Sequence, residues 1–161
     1  TWKRVFNVNF YGPLYACRAV LPIMLTQGGG QIINTISGTA ITPLPYEGVY
    51  ASAKAALNMM TLSLRYEYWD AGIKFNSASP GVVTTAIFGD AKPPDCAQSP
   101  EAAATRILTG AAQNDRLICG DDQDLIHSMF GYNVDCAPHF DGVYLEIART
   151  RQNGDEDAYR I

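Results

Sequence analysis

Two short stretches, QIINTIS (31–37) and IKFNSAS (73–79), constrain this chain most, because a helix-forming segment lies between them. Both are rich in β-branched or apolar residues. Gly28-Gly29-Gly30 precedes the first, and Gly72 and Pro80-Gly81 bracket the second. Strands joined through a helix must cross over and pair in parallel, whereas a tight turn would give an antiparallel hairpin. The intervening helix is expected from about Tyr50 to Trp69, with Gly72 as its stop signal.

The same alternation extends in both directions. Upstream, Val5, Val8, Ala16, Ala19 and Val20 recur near helical spacing over residues 2–27. Gly12-Pro13 and Pro22 predict a bend in that helix, or two segments. Downstream, Ser99-Pro100-Glu101 supplies an N-cap, a first-position proline and a first-turn acid for a helix lasting to about Gln113. RLIC (116–119) reads as a third strand, and residues 123–130 and 139–150 read as helices. Residues 38–48 and 84–98 carry the glycines and prolines of loops, and a polar tail is expected over 152–161. Helix, strand, helix, strand, helix, strand is the order of an α/β fold with a parallel sheet. At 161 residues, a single domain with its own core is expected over 1–161.

Composition narrows the function. A net charge of −4 and the absence of any Lys/Arg cluster argue against nucleic acid, whose phosphates need grouped cations. No apolar run is long enough for a membrane span. Cys17, Cys96, Cys119 and Cys136 are scattered, and His127 and His139 have no companion ligands, so no metal site and no disulfide framework are expected. Such thiols suit a reducing compartment, and a cytoplasmic location is the expectation.

Chemistry enters at VYASAKAALNMM, residues 49–60. Residues four apart on a helix share a face at about 6 Å, so Lys54 lies one turn beyond Tyr50. A phenol with an ordinary pKa of about 10 is a poor base at neutral pH, and a nearby ammonium favours the phenolate. The pair alone is equally compatible with a packed tyrosine beside a snorkelling lysine. Ser37 stands at the carboxyl end of its strand, where parallel sheets place their ligands; it could hold a substrate oxygen or simply cap a turn. Asn9, in the apolar run VNVNF, needs a partner, which the bent helix's free carbonyls or an ordered water could supply.

Together these residues resemble the short-chain dehydrogenase/reductase family. Ser37 precedes Tyr50 by thirteen residues, Lys54 follows it by four, and Asn9 precedes Ser37 by twenty-eight, as in that family's Asn-Ser-Tyr-Lys tetrad. The flanks FNVNFYGPLYACRAVLPIM, GGGQIINTISG and GIKFNSASPGVVTT match as well, so the likeness runs over residues 1 to about 90. The resemblance implies the second half of a Rossmann-like, doubly wound sheet, and oxidoreduction between an alcohol and a carbonyl with NAD or NADP. It implies that Tyr50 exchanges the proton and Lys54 lowers the Tyr50 pKa and binds the nicotinamide ribose. Ser37 would hold the substrate oxygen, and Asn9 would anchor a water. Pro80, Gly81, Val83 and Thr85 would line the nicotinamide, with residues 86–98 as the substrate lid. It also implies a homodimer or homotetramer through helices 2–27 and 50–69, which the small Ala51, Ala55 and Ala56 would allow to approach closely.

These 161 residues contain neither T-G-x-x-x-G-x-G nor G-x-G-x-x-G. Gly28-Gly29-Gly30 leads into a strand, whereas a phosphate cradle opens a helix. The expectation is therefore the catalytic and dimerisation half of a larger enzyme, binding cofactor poorly by itself. The alternative is a catalytically silent, truncated relative acting as a binding or scaffold protein. A nucleotide-sugar epimerase, which also uses Y-x-x-x-K, fits the P-G-V-V-T-T stretch and the short C-terminal region less well.

Overall fold

The computed structural model describes residues 2–152. Helix α1 (Trp2–Phe6) passes through a π-helical turn (Asn7–Tyr11) into α2 (Gly12–Gln27). Then follow β1 (Gly30–Thr35), α3 (Gly48–Glu67), β2 (Ile73–Ser79), α4 (Pro100–Ala112), β3 (Leu117–Cys119), α5 (Asp122–Phe130) and α6 (Ala137–Gln152). Every expected element is present, with ends shifted by a few residues. The expected tail lies outside the described residues except for Gln152, which closes α6.

The bend was expected at proline, yet the irregularity precedes it. The π turn widens the helix over Asn7–Tyr11, Pro13 sits harmlessly in the first turn of α2, and α2 runs on through Pro22. A first-turn proline lacks only an N–H that would have had no partner there.

The three strands form one parallel sheet in the order β1-β2-β3. Ile32 pairs with Phe75, and Ile36 N–H extends the ladder to Ala78 O at 2.8 Å. β2 is central and buried on both faces. Its odd-numbered face brings Ile73 and Phe75 against Cys17 and Leu21 of α2, together with Ile32. Its even-numbered face brings Ala78 against Ala111 of α4 and Ile118 of β3. Helices thus cover both faces of the parallel sheet that the element order predicts, in the doubly wound α/β arrangement that the family resemblance implies.

Polar ties fix α3 over β1 and β2. Arg65 of α3, almost fully buried, donates to Phe75 O at 2.7 Å and to Asn114. Asn34 of β1 donates to Thr61 of α3 at 2.9 Å. Buried amides and guanidinia persist only when paired in this way, so α3 has little freedom to slide along the strands. The helix carrying Tyr50 and Lys54 is therefore held in register with the strand leading to Ser37.

Candidate active site

Ser37 follows β1 in an extended conformation and caps a short 3₁₀ turn (Gly38–Ala40), accepting from Thr39 N–H at 3.3 Å. Tyr50 lies in the first turn of α3. Lys54, one turn on, donates from Nζ to Thr35 O at 2.9 Å. Its ammonium stands 5.8 Å from the centroid of the Tyr50 ring. Fold and sequence spacing thus bring Ser37, Tyr50 and Lys54 together at the carboxyl end of β1.

The electrostatics differ from the sequence expectation in one respect. Burial raises the Tyr50 pKa above its ordinary value; the facing Ser37 hydroxyl pulls it down and the Glu47 carboxylate adds to the rise. The Lys54 ammonium is engaged by the Thr35 carbonyl and flanks the ring, and burial lowers the lysine's own pKa. Tyr50 therefore holds its proton through the neutral range.

Asn9 belongs to the π turn and donates from Nδ2 to Val5 O at 3.0 Å. This is the local backbone partner that a disturbed helix offers. The π turn packs against α3 but the described contacts give Asn9 no direct bond to Lys54.

Pro80, Gly81, Val83 and Thr85 form the loop leaving β2. Gln98, which sequence reasoning missed, grips this loop: its Nε2 donates to Pro80 O at 3.0 Å and to Gly120 O at 2.8 Å. Its backbone pairs with Val82 and Thr84, and it bridges Val83. Thr85 caps a 3₁₀ turn (Ala86–Phe88), and Ile87 of the expected lid is exposed. Asp121 and Asp124 were also missed. Asp121 caps α5 through Asp124 N–H at 2.8 Å and accepts from Val82 N–H at 2.9 Å. The D-x-x-D spacing before α5 signals the cap, but nothing in it reveals the reach to Val82.

A hydroxyl, a phenol and an ammonium gathered at one strand end can together hydrogen-bond and exchange a proton with a small oxygen-bearing ligand. These residues supply no glycine-rich phosphate cradle. Among the described residues no group of three or more His, Cys, Asp or Glu is placed to hold a metal ion. No described helix is long and apolar enough to cross a membrane.

A family model described as short chain dehydrogenase matches residues 1–95. An uncharacterized oxidoreductase of Staphylococcus aureus (strain MRSA252) is 37% identical over 94 residues, 58% of this chain and 41% of that protein. One from Staphylococcus saprophyticus is 38% identical over 89 residues, 55% of this chain and 38% of that one. A short chain dehydrogenase from Burkholderia cenocepacia J2315, crystallised with NADP, shares the fold with a TM-score of 0.76 at 24% identity, over 86% of this chain and 57% of that one. Acetoin dehydrogenase from Salmonella typhimurium gives a TM-score of 0.67 at 25% identity, over 78% and 56%. The chain spans less than half the length of the curated relatives it matches.

Proposed function

The chain belongs to the short-chain dehydrogenase family, and from that membership we propose that it works as an NAD(P)-dependent oxidoreductase interconverting a small alcohol and its carbonyl. The observation that carries this reading is the meeting of Ser37, Tyr50 and Lys54 at the carboxyl end of β1.

NAD or NADP, when bound, supplies the hydride donor or acceptor. The protein's part is to hold oxygens and move one proton. Ser37 donates a hydrogen bond to the substrate oxygen, whose negative charge grows during carbonyl reduction. Tyr50, protonated at neutral pH, gives its proton to that oxygen, and takes one from an alcohol in the reverse direction. Lys54, anchored on Thr35 O, binds a ribose hydroxyl with its remaining N–H groups and lends positive charge to the phenolate left behind. Asn9, on the π turn against α3, holds a water through which Lys54 reaches solvent. Pro80, Gly81, Val83 and Thr85 flank the nicotinamide ring, with Val83 and Thr85 at its carboxamide.

Self-association through residues 2–27 and 50–69 belongs to the same reading. Tyr15 and Ile23 of α2, and Met59 and Tyr66 of α3, are all exposed apolar side chains on these helices. Burying them against a second copy removes that surface from water.

The likeness to an acetoin dehydrogenase makes acetoin, which carries both an alcohol and a ketone, the first substrate to try. The intact protein is incubated with acetoin and either NAD or NADH, and then with NADP or NADPH, and nicotinamide absorbance is followed. Turnover with either pair supports the reading. Inertness towards acetoin and a panel of other small alcohols and ketones, despite cofactor binding, would favour a silent scaffold.

A further inference from the structure

The loop that begins at Gly38, directly after Ser37, and the loop that begins at Pro80 leave neighbouring strands, and one side chain from α5 stands between them. Asp124, only 9% exposed, accepts a short hydrogen bond from the Ser79 hydroxyl through Oδ2. Ser79 is fully buried and immediately precedes Pro80. On its other side the carboxyl group bears on Gly38: a Cβ at that position would collide with Asp124 Oδ1. Asp124 is therefore wedged between the residue after the substrate-holding serine and the residue before the nicotinamide-lining loop.

Its neighbour Asp121 extends the same brace. The Asp121 carboxylate takes Val82 N–H through one oxygen and Asp124 N–H through the other. A Cβ on Gly81, which holds a φ of +75°, would strike that carboxylate. Glycine is required there both for the left-handed backbone and for the close approach. The start of α5 is thus fitted against both loops through the Asp121 and Asp124 side chains. Burial and the nearby Asp121 charge raise the Asp124 pKa, while Ser79 and His127 oppose the rise.

We propose that Asp124 is a positioning residue: by its hydrogen bond to Ser79 and its contact with Gly38 it sets the spacing between Ser37 and the Pro80–Thr85 loop, and so places the nicotinamide against the proton-transfer group. The inference rests on the oxidoreductase reading above. It assigns Asp124 no contact with substrate or cofactor. What matters is the carboxyl group's shape and its acceptor oxygen rather than its charge, and asparagine reproduces both.

The test compares NADH with ADP-ribose, which lacks the nicotinamide ring, by calorimetric titration of the intact protein and its variants. Loss of one buried hydrogen bond with the resulting loop shift corresponds to about a tenfold change in affinity. Asp124→Ala is expected to weaken NADH about tenfold while ADP-ribose binding holds, and Asp124→Asn to restore NADH. Gly38→Ala displaces the carboxyl group from the opposite side and Ser79→Ala removes its donor, so each reports the same signature if Asp124→Ala does not fold. In the Asp124→Ala/Gly38→Ala double variant the added methyl enters the vacated space, and the two effects combine to less than their product. Equal weakening of both ligands across these variants, or no weakening of NADH in any, overturns the inference and leaves the oxidoreductase reading standing. If the wild-type protein binds NADPH but not NADH, the same comparison is made with NADPH and 2′-phospho-ADP-ribose; a wild-type protein that binds neither NADH nor NADPH sinks the reading itself and the inference with it.

Discussion

Arg151 of α6 and Glu47, each with a side chain only 6% exposed, form a 3.1 Å ion pair that fastens the last turn of α6 to the N-cap of the helix carrying Tyr50. Arg151 also donates to Pro45 O at 2.7 Å. The pair is imperfect, because among the described residues Glu47 Oε2 and Arg151 Nε find no partner. Burial raises the Glu47 pKa in spite of the guanidinium, so the enclosure costs the carboxylate more than its partner returns.

Removing one member should be worse than removing both. Arg151→Ala leaves a buried, unpaired carboxylate and is expected to cost about 3–5 kcal/mol in urea denaturation at neutral pH. The double change Glu47→Gln/Arg151→Met is expected to cost less than either single charge deletion. Glu47→Gln also removes a negative charge that raises Tyr50, so ultraviolet titration of tyrosinate should show Tyr50 ionising at lower pH in that variant. An unchanged or higher tyrosine titration would contradict the placement of Glu47 beside the phenol.

Asp124 predicts a pH-dependent stability. Its pKa is raised in the folded state, so it binds a proton more readily there than in the unfolded chain. Its favourable contribution is complete below the unfolded value of about 3.9 and is lost as pH rises through the folded value. Asp124→Asn should therefore raise the melting temperature at neutral pH, with the gain shrinking towards acid. The groups facing it, Asp121 and His127, are unaltered in that comparison. A gain that grows on acidification would reverse the sign.

On the proposed oxidoreductase reading, Tyr50 predicts opposite pH–rate profiles for the two directions. Carbonyl reduction uses the protonated phenol and should stay level through the neutral range, because burial keeps Tyr50 protonated there. Alcohol oxidation uses the phenolate and should climb about tenfold per pH unit below the Tyr50 pKa. The check is initial rate against pH in each direction at saturating cofactor. An oxidation profile that levels off near neutral pH would mean that Tyr50 ionises far more easily than its burial implies.

Local patterns made much of this molecule legible. The strands 31–37 and 73–79 and the helix between them were readable because their residues carry the β-branched and helical periodicities that tertiary packing then uses. Tyr50 and Lys54 were readable as neighbours because an interval of four along a helix puts both on one face, whereas Ser37, across the 38–48 loop, was joined to them only by the family resemblance. The π turn at Asn7–Tyr11 was not, because one extra residue in a turn leaves no compositional mark, and proline was the only visible cause of a bend. Gln98, Asp121, Asp124 and the Glu47–Arg151 pair escaped for a common reason. Each acts across a long sequence separation, as with the 104 residues between Glu47 and Arg151, where no local periodicity can announce the partner. The direction of the Tyr50 pKa was likewise hidden, since it depends on burial, on the Ser37 hydroxyl and on the Glu47 carboxylate.

The most direct measurement is turnover and cofactor affinity of Tyr50→Phe in the intact protein, which deletes one oxygen from a ring whose packing is otherwise kept. With Tyr50 as the proton donor, turnover of whichever alcohol or carbonyl the intact protein accepts should fall by about 10²–10⁴-fold while nicotinamide-cofactor affinity stays within a few-fold of the parent. Turnover equal to the parent's, with the variant folded and NADH bound, would remove Tyr50 from the chemistry.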